Sequence, residues 1–449
     1  MSEIKNDFDC ATTMRAGRYW MPFTANRYVN TQGNARVLAA AQGAYYTMGD
    51  GHRVFDSLSG LWCTPLGHGN PRIAQALYDQ ATSLDFAPSF QLANPGAVRL
   101  AERIANMAPA GLEHVFFANS GSEAVDTALK IAIGFHKLRG EGGRFRLIGR
   151  ERGYHGVGLG GMSVGGIVPN RKMFATVMVP GVDHIRHPYD HARMAFSKGQ
   201  PQCGAEMADD LERLVALHDA STIAAVIVEP VQGSTGVLVP PVGYLQRLRE
   251  ICTKHGILLI FDEVITGFGR MGENFAAQRF GVRPDMITFA KAVTNGIVPM
   301  GGVIVTPEIY NTFMTGPENA IEFAHGYTYS GHPLAAAVAN VVLDIMEEDN
   351  LLSRVRALEP VLEEAIHALR DLPHVHDLRN IGLTAAIDLK PRDGKPGARG
   401  LEVFEQGVQH GLLLRVTGDT ISFGPPFIST PEQLRDMGAS LGRIIAALA

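Results

Sequence analysis

Ile257-Leu258-Leu259-Ile260-Phe261-Asp262-Glu263, followed further on by Asp285-Met286-Ile287-Thr288-Phe289-Ala290-Lys291, is the stretch on which the fold turns. One apolar run ends in two acids and the other in a lysine. Short aliphatic runs without alternation suit strands buried on both faces, as in parallel sheets. Outward from there, His114 to Phe117, Arg146 to Ile148, Ile223 to Val228 and Val303 to Val305 read as further strands. Helical periodicity fills Ser122 to Lys137 and Gly243 to His255. This alternation predicts an α/β domain over residues 71–330 with a mostly parallel central sheet. After Pro333 two long helices, Leu334 to Glu348 and Leu351 to Arg370, break the alternation. Thr384 to Leu389 and Leu412 to Val416 then read as strands of a smaller α+β unit over 331–449. Residues 1–70 form an N-terminal segment with strand candidates at Tyr45-Tyr46 and Val54-Phe55. It is expected to pack with the smaller unit, although pattern alone leaves that open.

Composition narrows the class of protein. At 449 residues the chain is long enough for two or three domains and a large core. Hydrophobic residues make up 46% and charged ones 19%, the balance of a compact fold. A net charge of -5 argues against nucleic acid and anionic membranes as partners. The apolar runs are too short to span a bilayer. Met1 to Asp7 lacks the basic start and apolar core of a signal peptide, so a cytoplasmic location is expected. Cys10, Cys63, Cys203 and Cys252 are far apart, which predicts neither a disulfide framework nor a cysteine metal site. No HExxH pattern occurs, and no metal is expected.

In open α/β sheets, ligands bind at the carboxyl ends of the strands. Here those ends carry Ser120-Gly121-Ser122, Glu229, Asp262-Glu263 and Lys291. A hydroxyl and glycine turn, two acids and a lysine suit a phosphate, a cationic ring nitrogen and a carbonyl carbon, which pyridoxal phosphate combines. Asp262, after five apolar residues, is expected to be largely buried and to need a cation. A protonated pyridine nitrogen would serve, and an ordinary capping or salt-bridged aspartate is the alternative. Lys291 at a strand end suits nucleophilic attack on a carbonyl, against the alternative of a snorkelling surface lysine. Ser120 or Ser122 could hold phosphate at a helix N-terminus or simply cap the helix. Tyr154 could stack on a cofactor ring or be an ordinary loop aromatic. Gly156-Val157-Gly158-Leu159-Gly160-Gly161 matches GxGxxG. It follows no adjacent strand and opens no convincing helix, so a nucleotide-binding dehydrogenase stands only as a rival.

Together these segments resemble the class III, or ω-amino acid, aminotransferases of fold type I. The resemblance rests on Asn119-Ser120-Gly121-Ser122-Glu123-Ala124, Gly153-Tyr154-His155-Gly156, Glu229-Pro230-Val231, the run from Phe261 to Arg270, and Phe289-Ala290-Lys291. Trp20-Met21-Pro22-Phe23-Thr24 and Gly60-Leu61-Trp62-Cys63 are similar to the ω-amino acid:pyruvate branch. The resemblance implies Lys291 as the Schiff-base lysine and proton shuttle, and Asp262 as the partner of the pyridine nitrogen. It implies Gly121 and Ser122, with Ser120 beside them, at the phosphate, and Tyr154 and Val264 on the two faces of the ring. Glu229 would stand near Asp262, and Thr328 would reach the phosphate of a neighbouring subunit. A homodimer would then be the least active unit, with a homotetramer left open. Arg415 resembles a substrate-carboxylate arginine, with a surface ion pair as its alternative. Trp62, Phe23 and Phe86 resemble walls of the substrate pocket, core packing remaining open for Phe23. Ser422 stands where a β-alanine-using relative carries glutamine, and Ala292 where many relatives have glycine.

The expected activity is transfer of an amino group from an ω-amino acid or amine, such as β-alanine, to pyruvate. A mutase of the glutamate-semialdehyde type is the nearest rival.

Overall fold

The computed structural model describes residues 17–448, so Cys10 and the Met1–Asp7 segment lie outside the described residues. Three N-terminal strands, β1 (Leu38–Gln42), β2 (Tyr45–Met48) and β3 (Arg53–Asp56), form an antiparallel meander. The central sheet follows with β4 (His114–Ala118), β5 (Arg146–Arg150), β6 (Val182–Ile185), β7 (Ile223–Val228), β8 (Leu258–Asp262), β9 (Met286–Ala290) and β10 (Gly301–Val305). Its spatial order is β4-β10-β9-β8-β7-β5-β6. The pairs from β9 to β6 are parallel, while β10 runs antiparallel to both β9 and β4. Every residue of β7, β8, β9 and β10 is buried, which is why they read as unbroken apolar runs. β6 lies at the edge and is only half covered, and its Val182-Asp183-His184-Ile185 sequence carries no such signal.

Helices cover the sheet, among them Gly121–Leu138 and Tyr244–His255. The helix Pro333–Glu348 packs against the helices Pro71–Ser83 and Pro95–Met107. The C-terminal region adds β11 (Val375–Ile381), β12 (Thr384–Leu389), β13 (Leu412–Leu413), β14 (Arg415–Thr417) and β15 (Thr420–Phe423). The single strand expected over 412–416 is in fact two. β13 pairs parallel with β3, whereas β14 pairs antiparallel with β15 in the sheet β11-β12-β15-β14. Residues of the N-terminal segment and of the C-terminal region therefore share one sheet.

Candidate active site

β4, β7, β8 and β9 point the same way, so Gly121, Glu229, Asp262 and Lys291 arrive at one end of the sheet. They line a crevice of about 130 Å³ together with Ser122, Tyr154, His155 and Val264. A larger cleft of about 630 Å³ opens at the opposite end of the strands. Its charges neutralise one another, as in Arg139 with Glu308 and Arg249 with Asp285.

Asp262 is 5% exposed, and its two oxygens are held differently. Oδ1 accepts hydrogen bonds from the Val264 N–H and the Thr288 hydroxyl, both at 3.1 Å. Oδ2 lies 2.7 Å from Nδ1 of His155, whose ring is buried. The other ring nitrogen of His155 has no hydrogen-bond partner. Glu229 accepts from the Tyr154 N–H at 2.9 Å and the Gly233 N–H at 3.2 Å. Burial raises its pKa to about 6, with His155 the main charge opposing that rise.

Lys291 follows β9 in a left-handed backbone conformation, φ 52°, which a non-glycine residue adopts only under constraint from its surroundings. Its side chain keeps some surface open to the crevice, yet desolvation by the dense walls lowers its pKa below the usual lysine value. Cys63, Asp262 and Glu229 pull the other way.

At the far side of the crevice begins the 18-residue helix Gly121–Leu138. Ser120 does not line the crevice. Its hydroxyl accepts from the Glu123 N–H at 3.2 Å, the capping arrangement that stood as the alternative for this serine. The N–H groups of Gly121 and Ser122 lie in the first helical turn, where none has an intrahelical partner. The Ser122 hydroxyl accepts from the Val157 N–H at 3.1 Å. A Cβ on residue 121 would lie 2.9 Å from a methyl of Val264, so glycine keeps this wall thin. The glycines 156–161 serve close packing: the Gly161 N–H meets Asp126 on that helix at 2.7 Å, and a Cβ on Gly158 would collide with the same carboxylate.

Arg415 opens β14 and lines a pocket of about 790 Å³ with Gly60, Leu61, Cys63 and Thr64. Its charge acts on both Lys291 and Tyr154, which places it near the crevice. Among the described residues no carboxylate pairs with it, so the ion-pair alternative lacks its partner. Ser422 is buried and sits opposite Arg415 in the β14–β15 register. Trp62 is 5% exposed and stacked near Arg270. Phe23, Phe86 and Thr328 are exposed and do not line the crevice. Phe86 meets Tyr329 and His332 edge-on instead.

His155 and Thr288 were not assigned a role from sequence, yet both touch Asp262. The histidine beside Tyr154 was the available signal, but its partner stands 107 residues away. Glu263, named with Asp262 at the strand end, does not line the crevice. Fully buried, it accepts from Thr266, from the Ala276 N–H at 2.5 Å and from the Ala277 N–H at 2.9 Å, so it caps the helix Ala276–Phe280. Burial raises its pKa to about 7, the backbone N–H groups opposing. A carboxyl raised in the fold adds stability below its unfolded pKa and loses it as pH rises through the folded value. Wild-type stability should therefore fall by about 1–3 kcal/mol between roughly pH 4.5 and 7 through this group. Glu263→Gln should flatten that window in denaturant unfolding at fixed cofactor concentration, and an unchanged slope would contradict it.

The donor set matches a phosphorylated aromatic aldehyde. A helix N-terminus faces the crevice at one end, a buried acid backed by a histidine stands in its wall, and a desolvated lysine closes it. Fold and site define a pyridoxal-phosphate enzyme of fold type I. The chain belongs to the class-III aminotransferase family, whose model matches residues 28–445. It is similar to an omega-aminotransferase of Caulobacter vibrioides, 53% identical over 427 residues, covering 95% of this chain and 97% of that one. The beta-alanine--pyruvate aminotransferase of Pseudomonas aeruginosa is 50% identical over 434 residues, 96% of each chain. The crystal structure of the omega transaminase from Pseudomonas jessenii in complex with PMP superposes with a TM-score of 0.90 at 30% identity, covering 97% of both chains.

Proposed function

We propose that this aminotransferase moves the amino group of an ω-amino acid or amine, such as β-alanine, to pyruvate. The observation that carries this reading is Arg415, a guanidinium beside the lysine crevice that has no carboxylate partner among the described residues. Pyruvate brings the missing carboxylate, and an uncharged donor can be taken when the flexible arginine swings aside.

When bound, pyridoxal phosphate supplies an electrophilic carbonyl carbon and an electron-withdrawing ring. Lys291, the lysine of the crevice, would hold that carbon and would carry the proton taken from the substrate carbon on its Nζ. Its lowered pKa keeps a fraction of the amine unprotonated for both tasks. Asp262 would pair with the ring nitrogen, and His155, 2.7 Å from its Oδ2, orients that carboxylate. The first-turn N–H groups at Gly121 and Ser122 hold the phosphate. Tyr154 and Val264 flank the ring, and Glu229 sets the local charge beside Asp262. Trp62, Ser422, Phe23 and Phe86 would shape the substrate side.

Thr328 is exposed in one subunit, which suits a residue that completes the phosphate site of its neighbour. The active unit is thus at least a homodimer. The chain divides into an N-terminal segment 1–70, a cofactor-binding domain 71–330 and a smaller domain 331–449. No helix among the described residues is long and apolar enough to cross a membrane.

A screen of amine donors against pyruvate, scored by alanine formed, tests the assignment. Alanine from β-alanine or a simple amine is expected, and a reaction that rearranges one substrate without consuming pyruvate would favour a mutase. Arg415→Ala should slow the pyruvate half-reaction by roughly ten- to a hundredfold while sparing that of an uncharged amine. Single-turnover kinetics of the two halves checks this, and equal losses would assign Arg415 to structure.

A further inference from the structure

Ser59-Gly60-Leu61-Trp62 makes one irregular turn just after β3. Three of its residues have positive φ: 50° at Ser59, 66° at Gly60 and 67° at Trp62. With ψ at -99°, Gly60 occupies a conformation that side chains exclude. Such a turn is unfavourable on its own and persists only where its surroundings over-determine it.

Two buried charges do so. Asp56, the last residue of β3, is fully buried. Its Oδ1 accepts from the Leu58 N–H at 3.2 Å, and its Oδ2 accepts from the Gly60 N–H at 2.6 Å. Nε2 of His68 meets the same Oδ2 at 3.0 Å. From the other side Arg270, 1% exposed, donates to the Ser59 hydroxyl at 3.1 Å and to the Pro425 carbonyl at 2.6 Å. The Ser59 hydroxyl in turn donates to the Gly424 carbonyl at 2.7 Å. Burial pulls the Arg270 pKa down to about 9, with Asp56 the leading charge that opposes it. The Trp62 ring then rests on Gly424, where a Cβ would stand 2.2 Å from it.

Asp56 and Arg270 line neither the crevice nor the Arg415 pocket. Two residues that Asp56 holds directly, Leu58 and Gly60, do line the Arg415 pocket, as do Leu61 and Cys63 beside them. We propose that Asp56 and Arg270 are positioning residues for substrate recognition, clamping the Ser59–Trp62 turn so that its Leu61–Cys63 edge forms a fixed wall of the Arg415 pocket. This rests on that pocket being where the substrate sits.

The charged form of the clamp matters, because hydrogen bonds to an ionised acceptor are markedly stronger than neutral ones. Asp56→Asn keeps the shape but turns an amide N–H₂ toward one of the two backbone donors. Ser59→Ala removes Arg270's hydroxyl partner in the same turn without touching the acid or the pocket lining. Both variants should raise KM for pyruvate and for an aromatic amine by about tenfold or more. In both, kcat at saturation should change less than about threefold, and cofactor content should stay that of the wild type. The double variant should be no worse than the worse single one, since both release one turn.

The chain has two tryptophans, of which Trp20 is exposed and Trp62 buried. In a Trp20→Phe background the emission of Trp62 should shift to the red in both variants. An unchanged KM in both, or kcat and cofactor content falling together while KM holds, would overturn the clamp. Should Asp56→Asn fail to fold, Ser59→Ala alone carries the same expectation. A parent enzyme that forms no alanine from pyruvate would instead defeat the assignment of the pocket.

Discussion

Lys291→Ala should stop turnover, with a loss of about 10⁴-fold or more, while the protein still takes up some cofactor without a covalent link. The lysine has two tasks in the proposed reaction, covalent attachment and proton transfer, and proton transfer by a placed side chain alone contributes about 10²–10⁴-fold. Its position leaves no understudy. Among the described residues Lys291 is the sole lysine lining the crevice, and it is held there at a φ of 52°. The N–H groups of Gly121 and Ser122 and the Asp262–His155 pair belong to other elements and are untouched by the change. Absorbance of the purified variant after cofactor addition, with single-turnover rates for donor and pyruvate, measures both parts. Near-normal rates without added amine would remove Lys291 from its proposed role.

Asp262→Asn should slow both half-reactions, by about 100-fold or more, because each depends on charge stabilised at the same ring. Asparagine is nearly isosteric, so the hydrogen bonds from Val264 and Thr288 can persist at the carbonyl oxygen. What is lost is the negative charge, which alone favours a protonated ring nitrogen and a properly turned His155. The expected pattern is equal slowing of the two halves with little change in KM. This is opposite to Arg415→Ala, which should divide them. Unchanged half-reaction rates would show that the ring nitrogen has another partner.

The strands that form the centre of the sheet were legible because burial on both faces leaves nothing but apolar residues. Ile223–Val228 matches its sequence reading residue for residue, and Met286–Ala290 lies within the quoted run Asp285 to Lys291. β11 was invisible for the opposite reason. Asp377, Arg379 and Asn380 sit inside Val375–Ile381, yet all three are buried. Arg379 donates to Asp377 and Asp388, both at 2.7 Å, so ion pairing replaces the apolar pattern that sequence reading depends on. The break at Leu414 was equally hidden, since nothing local says that Leu413 pairs with Asp56 while Arg415 pairs with Ser422.

The sequence by itself determined the class of fold, the family, and the lysine and acid at the ends of their strands. Those follow from side-chain type and short-range pattern, which a chain carries before it folds. Only the tertiary structure decided that His155 backs Asp262, that Ser120 serves as a cap, and that Asp56 reaches back to Gly60 from beneath the turn. It also decided that Arg415 faces no acid among the described residues, and that Phe23, Phe86 and Thr328 stay outside the crevice of their own subunit. The physical reason is that a buried polar atom must find a partner wherever the fold brings one within about 3 Å, however distant in sequence.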